Sequence, residues 1–85
     1  AFPNPFNPYI NISYSLPSAG HVDLIIINLL GQNIKTLVSE TQTPGEYNFT
    51  WNGKDINGIT MNSGIYFAVI TRKSGRDVLK ITFLK

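Results

Sequence analysis

The chain has 85 residues, of which 42% are hydrophobic and 12% aromatic, which is enough for one small hydrophobic core and one domain. It contains no cysteine, which excludes disulfides, thiolate metal sites and catalysis by a free thiol. The formal net charge of +2 is far from the dense Lys/Arg surface of a nucleic-acid-binding protein, so we expect no nucleic-acid partner. No apolar run approaches the roughly 20 residues of a transmembrane helix.

The chain begins without a methionine, directly in a segment rich in proline and asparagine at residues 2–8. We therefore expect it to be a fragment of a longer protein, one domain of a multidomain chain. Its first residues lack the basic and apolar regions of a secretory signal peptide. Each proline fixes its own φ and favours extended geometry in the residue before it. The segment is predicted to be a stiff extended lead-in, with Phe2 or Phe6 packed on the core.

Three strands are predicted in the first half of the chain, because apolar and polar side chains alternate there with a period of two. They comprise residues 9–16, 21–28 and 33–39. The second strand differs from the others because it is apolar on both faces, with Ile25 and Ile27 pointing outward. A polar loop is expected at residues 40–44.

The central stretch, residues 45–67, is expected to hold the middle of the core. It contains the single tryptophan, and Tyr47, Phe49 and Trp51 alternate with polar residues as a fourth strand. Residues 52–58, NGKDING, indicate a turn, since Asn and Asp side chains bond to nearby backbone groups and glycine accepts a positive φ.

Two further strands, residues 65–71 and 77–85, are joined by a basic turn. Tyr66 stands where a tyrosine-corner residue enters a late strand, with its hydroxyl bonded to upstream backbone. No segment has the apolar spacing of an amphipathic helix. The sequence therefore predicts an all-β, immunoglobulin-like β-sandwich of about seven antiparallel strands without a disulfide.

The second and the penultimate strand both carry apolar residues that point away from the core. If these strands are neighbours, Ile25, Ile27, Phe67 and Val69 form one apolar patch, which we name the outer-face patch. Contiguous exposed apolar surface of this kind marks a contact with another domain or partner. We expect self-association through this patch as one possibility.

No combination of residues predicts a catalytic, cofactor or metal site, so we do not expect an enzyme. His21, the single histidine, has no nucleophile or carboxylate partner in any motif and is interpreted as a surface residue. Asp55 lacks the further acidic ligands of a calcium loop and is interpreted as a turn residue. Trp51 and Tyr47 suggest a carbohydrate-stacking platform, but they share one strand face with Phe49, which favours the core.

The remaining motifs acquire meaning from their order and spacing along the chain. They are FPNPFNP at residues 2–8, ISYSLP at 12–17, GHV at 20–22, NLLGQ at 28–32, GEY at 45–47, WNG at 51–53, DING at 55–58 and SGIYF at 63–67, followed by a basic and apolar tail at 80–85. In this order they resemble the C-terminal sorting domain (type A) of proteins exported by the type IX (Por) secretion system of Bacteroidetes-type bacteria. The resemblance covers essentially the whole chain.

This resemblance implies that residues 1–85 form a single non-catalytic sorting signal, which directs an attached cargo protein across the outer membrane. The implied partners are the outer-membrane translocon, a sortase-like peptidase and a covalently attached N-terminal cargo domain. The implied location is the periplasm in transit, and then the cell surface or the extracellular space. The sorting signal is assigned to Lys80, Ile81, Phe83, Leu84 and Lys85. The structural motif is assigned to Trp51, Gly53, Asp55, Gly58, Gly64 and Tyr66.

Two alternative functions remain open. The flagellar hook-capping protein carries a related immunoglobulin-like domain with a similar WNGKD and SGIY pattern, which would make this chain a structural or assembly module. The other alternative is a carbohydrate-binding accessory module of a multidomain secreted enzyme.

Overall fold

The computed structural model describes residues 9–85. Residues 1–8, and with them the expected packing of Phe2 or Phe6, lie outside the described residues. Six strands are present in the described part: β1 Ile10–Leu16, β2 Gly20–Ile27, β3 Asn33–Gln42, β4 Gly45–Trp51, β5 Gly64–Arg72 and β6 Gly75–Phe83. Between residues 9 and 85 we find no helix that could cross a membrane.

The strands form two antiparallel sheets whose inner faces share one core, with strand orders β1-β4 and β3-β2-β5-β6. The expected all-β, immunoglobulin-like sandwich is confirmed. The strand count is six, which equals the number of strands located individually in the sequence, rather than about seven. The segment after β4 is the turn-rich loop that the sequence indicates, because its Asn, Asp and Gly residues favour turns over extended pairing. Within this loop the pairing is a single isolated bridge between Lys54 and Thr60.

The core consists of the alternate residues of the strands that point between the two sheets. Trp51 and Phe83 are fully buried, with ring centroids 5.4 Å apart, and Trp51 lies at the same 5.4 Å from Tyr66. Burying aromatic rings of this size removes roughly 150–250 Å² each from water. Trp51 thereby holds β4 against β5 and β6. The buried core side chains are Ile12, Tyr14, Leu16, Val22, Leu24, Ile26, Val38, Trp51, Tyr66, Ala68, Ile70, Ile81 and Phe83.

Strand β3 is longer than the sequence indicates, and the polar loop expected at residues 40–44 is wrong in its first part. Gln42 still pairs with Gly20 of β2 and is only 7% exposed. Its side-chain carbonyl accepts a hydrogen bond of 2.6 Å from the buried Tyr14 hydroxyl, and its amide donates to Glu40 at 3.2 Å. These bonds satisfy the side-chain polar atoms of Gln42. The residue can therefore be buried at the end of β3 although its side chain is polar.

Candidate interaction surface

The loop between β4 and β5 is held in one shape by the side chain of Asp55. Its Oδ1 accepts hydrogen bonds from the backbone N–H groups of Asn57 and Ile59, both at 2.9 Å. The backbone closes the same turn, since the Asp55 N–H donates to the Ile59 carbonyl at 2.9 Å and the Gly58 N–H donates to the Asp55 carbonyl at 3.0 Å. Asp55 therefore acts as a turn-forming residue.

The start of this loop is fixed to the core by Trp51 and Gly53. The indole N–H of Trp51 donates to the backbone carbonyl of Lys54 at 2.9 Å. Gly53 has a φ of 78°, and a Cβ at this position would lie 2.3 Å from ring atoms of Phe83, so only glycine fits. The Met61 N–H closes the loop by donating to the Gly53 carbonyl at 2.8 Å.

The end of the loop is fixed by Tyr66 and Ser63. The Tyr66 hydroxyl donates to the carbonyl of Asn62 at 2.8 Å, which is the upstream backbone bond of a tyrosine corner. The backbone N–H of Lys85 donates to the Ser63 Oγ at 2.8 Å. The last residue of the chain is thereby held next to the point where β5 begins.

Asn28 holds the β2–β3 turn, residues 28–32, in a comparable way. Its Oδ1 accepts hydrogen bonds from the N–H groups of Leu30 at 2.9 Å and Gln32 at 3.0 Å, while its Nδ2 donates to the Gln32 Oε1 at 2.7 Å. Two backbone bonds add to these, from the Asn28 N–H to the Gln32 carbonyl at 3.1 Å and from the Gly31 N–H to the Asn28 carbonyl at 3.0 Å. Three side-chain and two backbone hydrogen bonds therefore close the turn.

Both turns lie at the same end of the sandwich and expose large apolar side chains there. The Ile56 N–H donates to the carbonyl of Ile34 at 3.2 Å, which attaches the β4–β5 loop to β3 just after the β2–β3 turn. Leu29 and Leu30 are 70% and 82% exposed, and Ile56 and Ile59 are 75% and 60% exposed. We name these four exposed side chains the apolar end.

Six of the eight large hydrophobic side chains that are exposed among residues 9–85 lie at this end of the molecule. They are Tyr9, Leu29, Leu30, Ile56, Ile59 and Leu84. Tyr9 belongs here because it precedes β1, whose first residue pairs with the last residue of β4. Leu84 belongs here because it follows β6, whose last residue pairs with the first residue of β5. Single exposed apolar residues are common on proteins, whereas a group concentrated at one end marks a contact surface.

Charge around the apolar end is mostly positive. Lys54 lies in the β4–β5 loop and Lys85 follows Leu84, and both lysines are exposed. Lys80 is exposed as well but pairs with Phe67 close to the middle of β6. Asp55 is the one acidic residue on the two turns, and its Oδ1 is bound by backbone N–H groups. The other four acidic residues lie on strands, in the half of the sandwich nearer the opposite end.

The outer-face patch has the geometry that the sequence predicts. Strands β2 and β5 are neighbours, with Ile25 paired to Val69 and Ile27 paired to Phe67. Val69 is only 3% exposed, however, and the other three side chains are half-buried. The patch is therefore smaller than its four residues suggest, and self-association through it stays a prediction.

The residues assigned to a sorting signal divide into two groups. Ile81 and Phe83 are buried in the core between the sheets, whereas Lys80, Leu84 and Lys85 are exposed. A contact by either buried residue would require the domain to open. A folded domain can therefore offer a partner only the three exposed side chains of this set.

A small polar cluster surrounds Asp23 on the outer face of the larger sheet. Its Oδ1 accepts a hydrogen bond from the Ser39 Oγ at 2.7 Å and lies 3.2 Å from the Nε2 of the exposed His21. The hydrogen bond from Ser39, and next that from His21, lowers the pKa of Asp23 below its ordinary value of 3.8. In the described part of the chain, no group of three His, Asp or Glu residues could hold a metal ion.

The aromatic platform considered for carbohydrate binding is closed. Trp51 is fully buried, so neither face of its indole ring can stack on a sugar. Tyr47 and Phe49 are half-buried and stack on Tyr14, with ring centroids 5.3 Å and 6.1 Å away. The rings of this face thus pack on one another and on the core.

The sequence analysis does not find the four side chains of the apolar end, and the exposed leucines of the β2–β3 turn are the clearest case. In the sequence these leucines stand out only as part of the NLLGQ motif at residues 28–32. A signal is nevertheless present, because Leu29 and Leu30 stand between Asn28 and Gly31 in a turn of five residues. Side chains at the tip of so short a turn extend beyond the sheet to which its own strands belong, so they remain exposed.

The fold and its exposed turns define the chain as an immunoglobulin-like β-sandwich domain. The chain belongs to the FlgD Ig-like domain family, which it matches over residues 9–76. It is similar to the crystal structure of FlgD from P. aeruginosa, with a TM-score of 0.67 and 22% sequence identity, over 88% of this chain and 59% of that chain. It is also similar to FlgD from Xanthomonas campestris, with a TM-score of 0.63 and 29% identity, over 88% of this chain and 56% of that chain.

The chain thus spans less than two thirds of the length of either FlgD structure. Among curated proteins there is no match.

The family match overturns the expected role as a type IX sorting signal, because the family and both structures are those of FlgD. The expected translocon, sortase-like peptidase and attached cargo domain are therefore wrong as partners. The route from the periplasm to the cell surface or extracellular space is wrong as a location. The physical reason lies in the motifs. The motif residues build the core and the β4–β5 loop; they are Trp51, Gly53, Asp55 and Tyr66. Their pattern therefore indicates the fold, and a domain can have this fold without being a sorting signal.

Proposed function

We propose that this chain is a non-catalytic structural module through which a larger protein joins a flagellar hook-cap type of assembly. The observation that carries the proposal is the match to the FlgD Ig-like domain family over residues 9–76. The FlgD of Xanthomonas campestris is described in terms of hook capping that is essential for flagellar assembly. The exposed apolar turns of the chain fit a module that binds protein better than one that transforms a substrate.

The construction of the domain supports this role. Hydrogen bonds of Asn28 and Asp55 hold two turns, and both turns expose apolar side chains at the same end of the sandwich. A preformed surface loses little conformational entropy when a partner covers it. A module of this kind sets the position of one subunit relative to the next without changing its own conformation.

The decisive test is deletion of residues 9–85 from the full-length protein in the organism that encodes it. We expect cells without completed hooks, counted by electron microscopy, and non-motile cells in soft agar. Restoring the full-length gene on a plasmid should restore both. The control is a full-length protein that carries Lys73→Ala, an exposed position in the turn at the opposite end of the sandwich.

Normal hooks after the deletion would contradict the proposal, provided that the shortened protein is present at its usual level. An encoding organism that makes no flagellar hook would contradict it as well.

A further inference from the structure

We infer that the apolar end is the surface through which the domain binds its partner subunit, and that the partner presents an apolar groove rimmed by carboxylates. This inference rests on the proposed function and deepens it by naming the surface and the chemistry of the partner. It is carried by the rigidity, the shape and the charge of this end of the sandwich.

Rigidity comes from the hydrogen bonds of the two turns. Asn28 contributes three side-chain hydrogen bonds to the β2–β3 turn, and Asp55 accepts two in the β4–β5 loop. The Ile56 N–H, bonded to the Ile34 carbonyl, joins the two turns through β3. The exposed leucines and isoleucines therefore enter a contact already in position, so association does not have to order the backbone.

The shape of the surface indicates a concave partner. Leu29 and Leu30 stand at the tip of one turn, and Ile56 and Ile59 stand on the next, so the apolar side chains project from the end of the sandwich. Projecting apolar side chains contribute most to binding when a pocket encloses and desolvates them. A groove on another subunit meets that requirement, whereas a flat surface would leave the sides of these chains in water.

The charge around the apolar end indicates the rim of that groove. Lys54 and Lys85 are exposed around it, whereas Asp55, the one acidic residue on the two turns, has one carboxylate oxygen bound to backbone N–H groups. A complementary partner carries Asp or Glu side chains around the apolar groove. A second copy of this chain is a poor occupant, because residues 9–85 show no groove that could enclose these side chains. Two apolar ends meeting head to head would also bring the same lysines together.

The test uses photo-cross-linking in the full-length protein within its host. A photoreactive benzoylphenylalanine replaces Leu30 in one strain and Val78, an exposed apolar residue on β6, in a matched control strain. We expect a cross-linked adduct at position 30 at a yield roughly tenfold above that at position 78. Mass spectrometry should place the adduct in a peptide of another protein in which apolar residues lie within a few positions of Asp or Glu.

Three results would overturn the inference: equal adduct yields at the two positions, an adduct with a second copy of this chain, or a cross-linked peptide without acidic residues.

A second measurement compares two double variants of the full-length protein, one that removes exposed apolar side chains and one that reverses the charge of two lysines. Leu29→Ser with Leu30→Ser, and separately Lys54→Glu with Lys85→Glu, should each reduce recovery of the protein in the isolated assembly by roughly tenfold. All four side chains are exposed, so circular dichroism and the unfolding temperature should stay unchanged.

The deletion of residues 9–85 serves as the reference for both variants. If the deletion abolishes assembly and the variants do not, the apolar end is not the binding surface although the proposed function stands. If the deletion itself has no effect, the proposed function fails first.

Discussion

Gly53 lies so close to the ring of Phe83 that a Cβ on it would come within 2.3 Å of the ring atoms Cε1 and Cζ. Both residues are buried, and Gly53 has a φ of 78°. The contact joins the start of the β4–β5 loop to the last strand. The position of Ile56 and Ile59 therefore depends on a packing contact with the core, in addition to the hydrogen bonds within the loop.

We predict that Gly53→Ala destabilises the domain by about 3 kcal/mol. The overpacked methyl group costs about 1–3 kcal/mol, because a ring in a filled core cannot move aside freely. The positive φ adds about 1–2 kcal/mol for a residue with a Cβ. Urea unfolding followed by Trp51 fluorescence measures the change.

Gly58→Ala is the matched control for this substitution. Gly58 has a similar φ of 81°, but nothing lies within 4 Å of a Cβ built there. We expect a loss of about 1 kcal/mol, from the backbone conformation alone. Equal losses at the two positions would show that the contact with Phe83 contributes nothing.

Asn28→Ala is predicted to loosen the β2–β3 turn. The substitution removes the acceptor for the Leu30 and Gln32 N–H groups and the donor to the Gln32 side chain. Because the turn is exposed and water can replace these bonds, we expect a loss of only about 1–2 kcal/mol in the free energy of unfolding. Hydrogen exchange of the Leu30 and Gln32 amides should accelerate far more than exchange in β5.

Gln32→Ala provides the comparison for Asn28→Ala. It removes one of the three side-chain bonds and leaves both backbone amides bonded to Asn28. Amide exchange at Leu30 should therefore stay close to that of the unmodified protein. Equal acceleration in both variants would mean that the side-chain Oδ1 of Asn28 does not hold the turn.

The sheets were predictable from the sequence because alternation of apolar and polar residues determines which face of a strand is buried. Residues 10–16 alternate without exception, and β1 buries Ile12, Tyr14 and Leu16 as that pattern requires. Local periodicity carries this information because the geometry of a strand is itself local. It does not show which strands are neighbours: the sequence left the pairing of β2 with β5 as a condition, and the structure supplies it.

The extension of β3 and the apolar end were not predictable in the same way. Gln42 belongs to a strand because it bonds to Tyr14, 28 positions away, and no local pattern encodes a contact at that separation. Leu29 and Leu30 are exposed because of where their turn lies in the folded sandwich. The sorting interpretation failed for a related reason, since the motifs that suggested it are turn and core residues that serve the fold.

The buried pair of Tyr14 and Gln42 provides a further prediction. Tyr14→Phe removes the donor to the side-chain Oε1 of Gln42 and leaves this oxygen buried without that partner. We expect a loss of about 1–3 kcal/mol, the cost of an unsatisfied buried polar group. The double substitution Tyr14→Phe with Gln42→Leu should recover part of it, because both polar partners are then replaced by apolar groups. A double-mutant cycle with additive losses would contradict the coupling of the two side chains.

The pKa of Tyr14 leads to the last prediction, a loss of stability in alkali. Burial raises the pKa of the Tyr14 phenol above its ordinary value of 10.0, because the phenolate is poorly solvated in the core. In the unfolded chain the phenol ionises at about its ordinary value, so above about pH 10 the unfolded state binds fewer protons than the folded state. The contribution of Tyr14 to stability is thus fully present below pH 10 and is lost as the pH rises through the folded pKa.

Urea unfolding between pH 8 and pH 11.5 tests this loss, with Tyr14→Phe as the control for the other tyrosines and the lysines. The free energy of unfolding should fall more steeply with pH in the unmodified protein than in Tyr14→Phe. Only the unmodified protein has a Tyr14 phenol, which is protonated in the folded core and ionises when the chain unfolds. Parallel pH profiles would mean that Tyr14 ionises as readily in the folded protein as in the unfolded chain. That result would contradict the burial of its hydroxyl against Gln42.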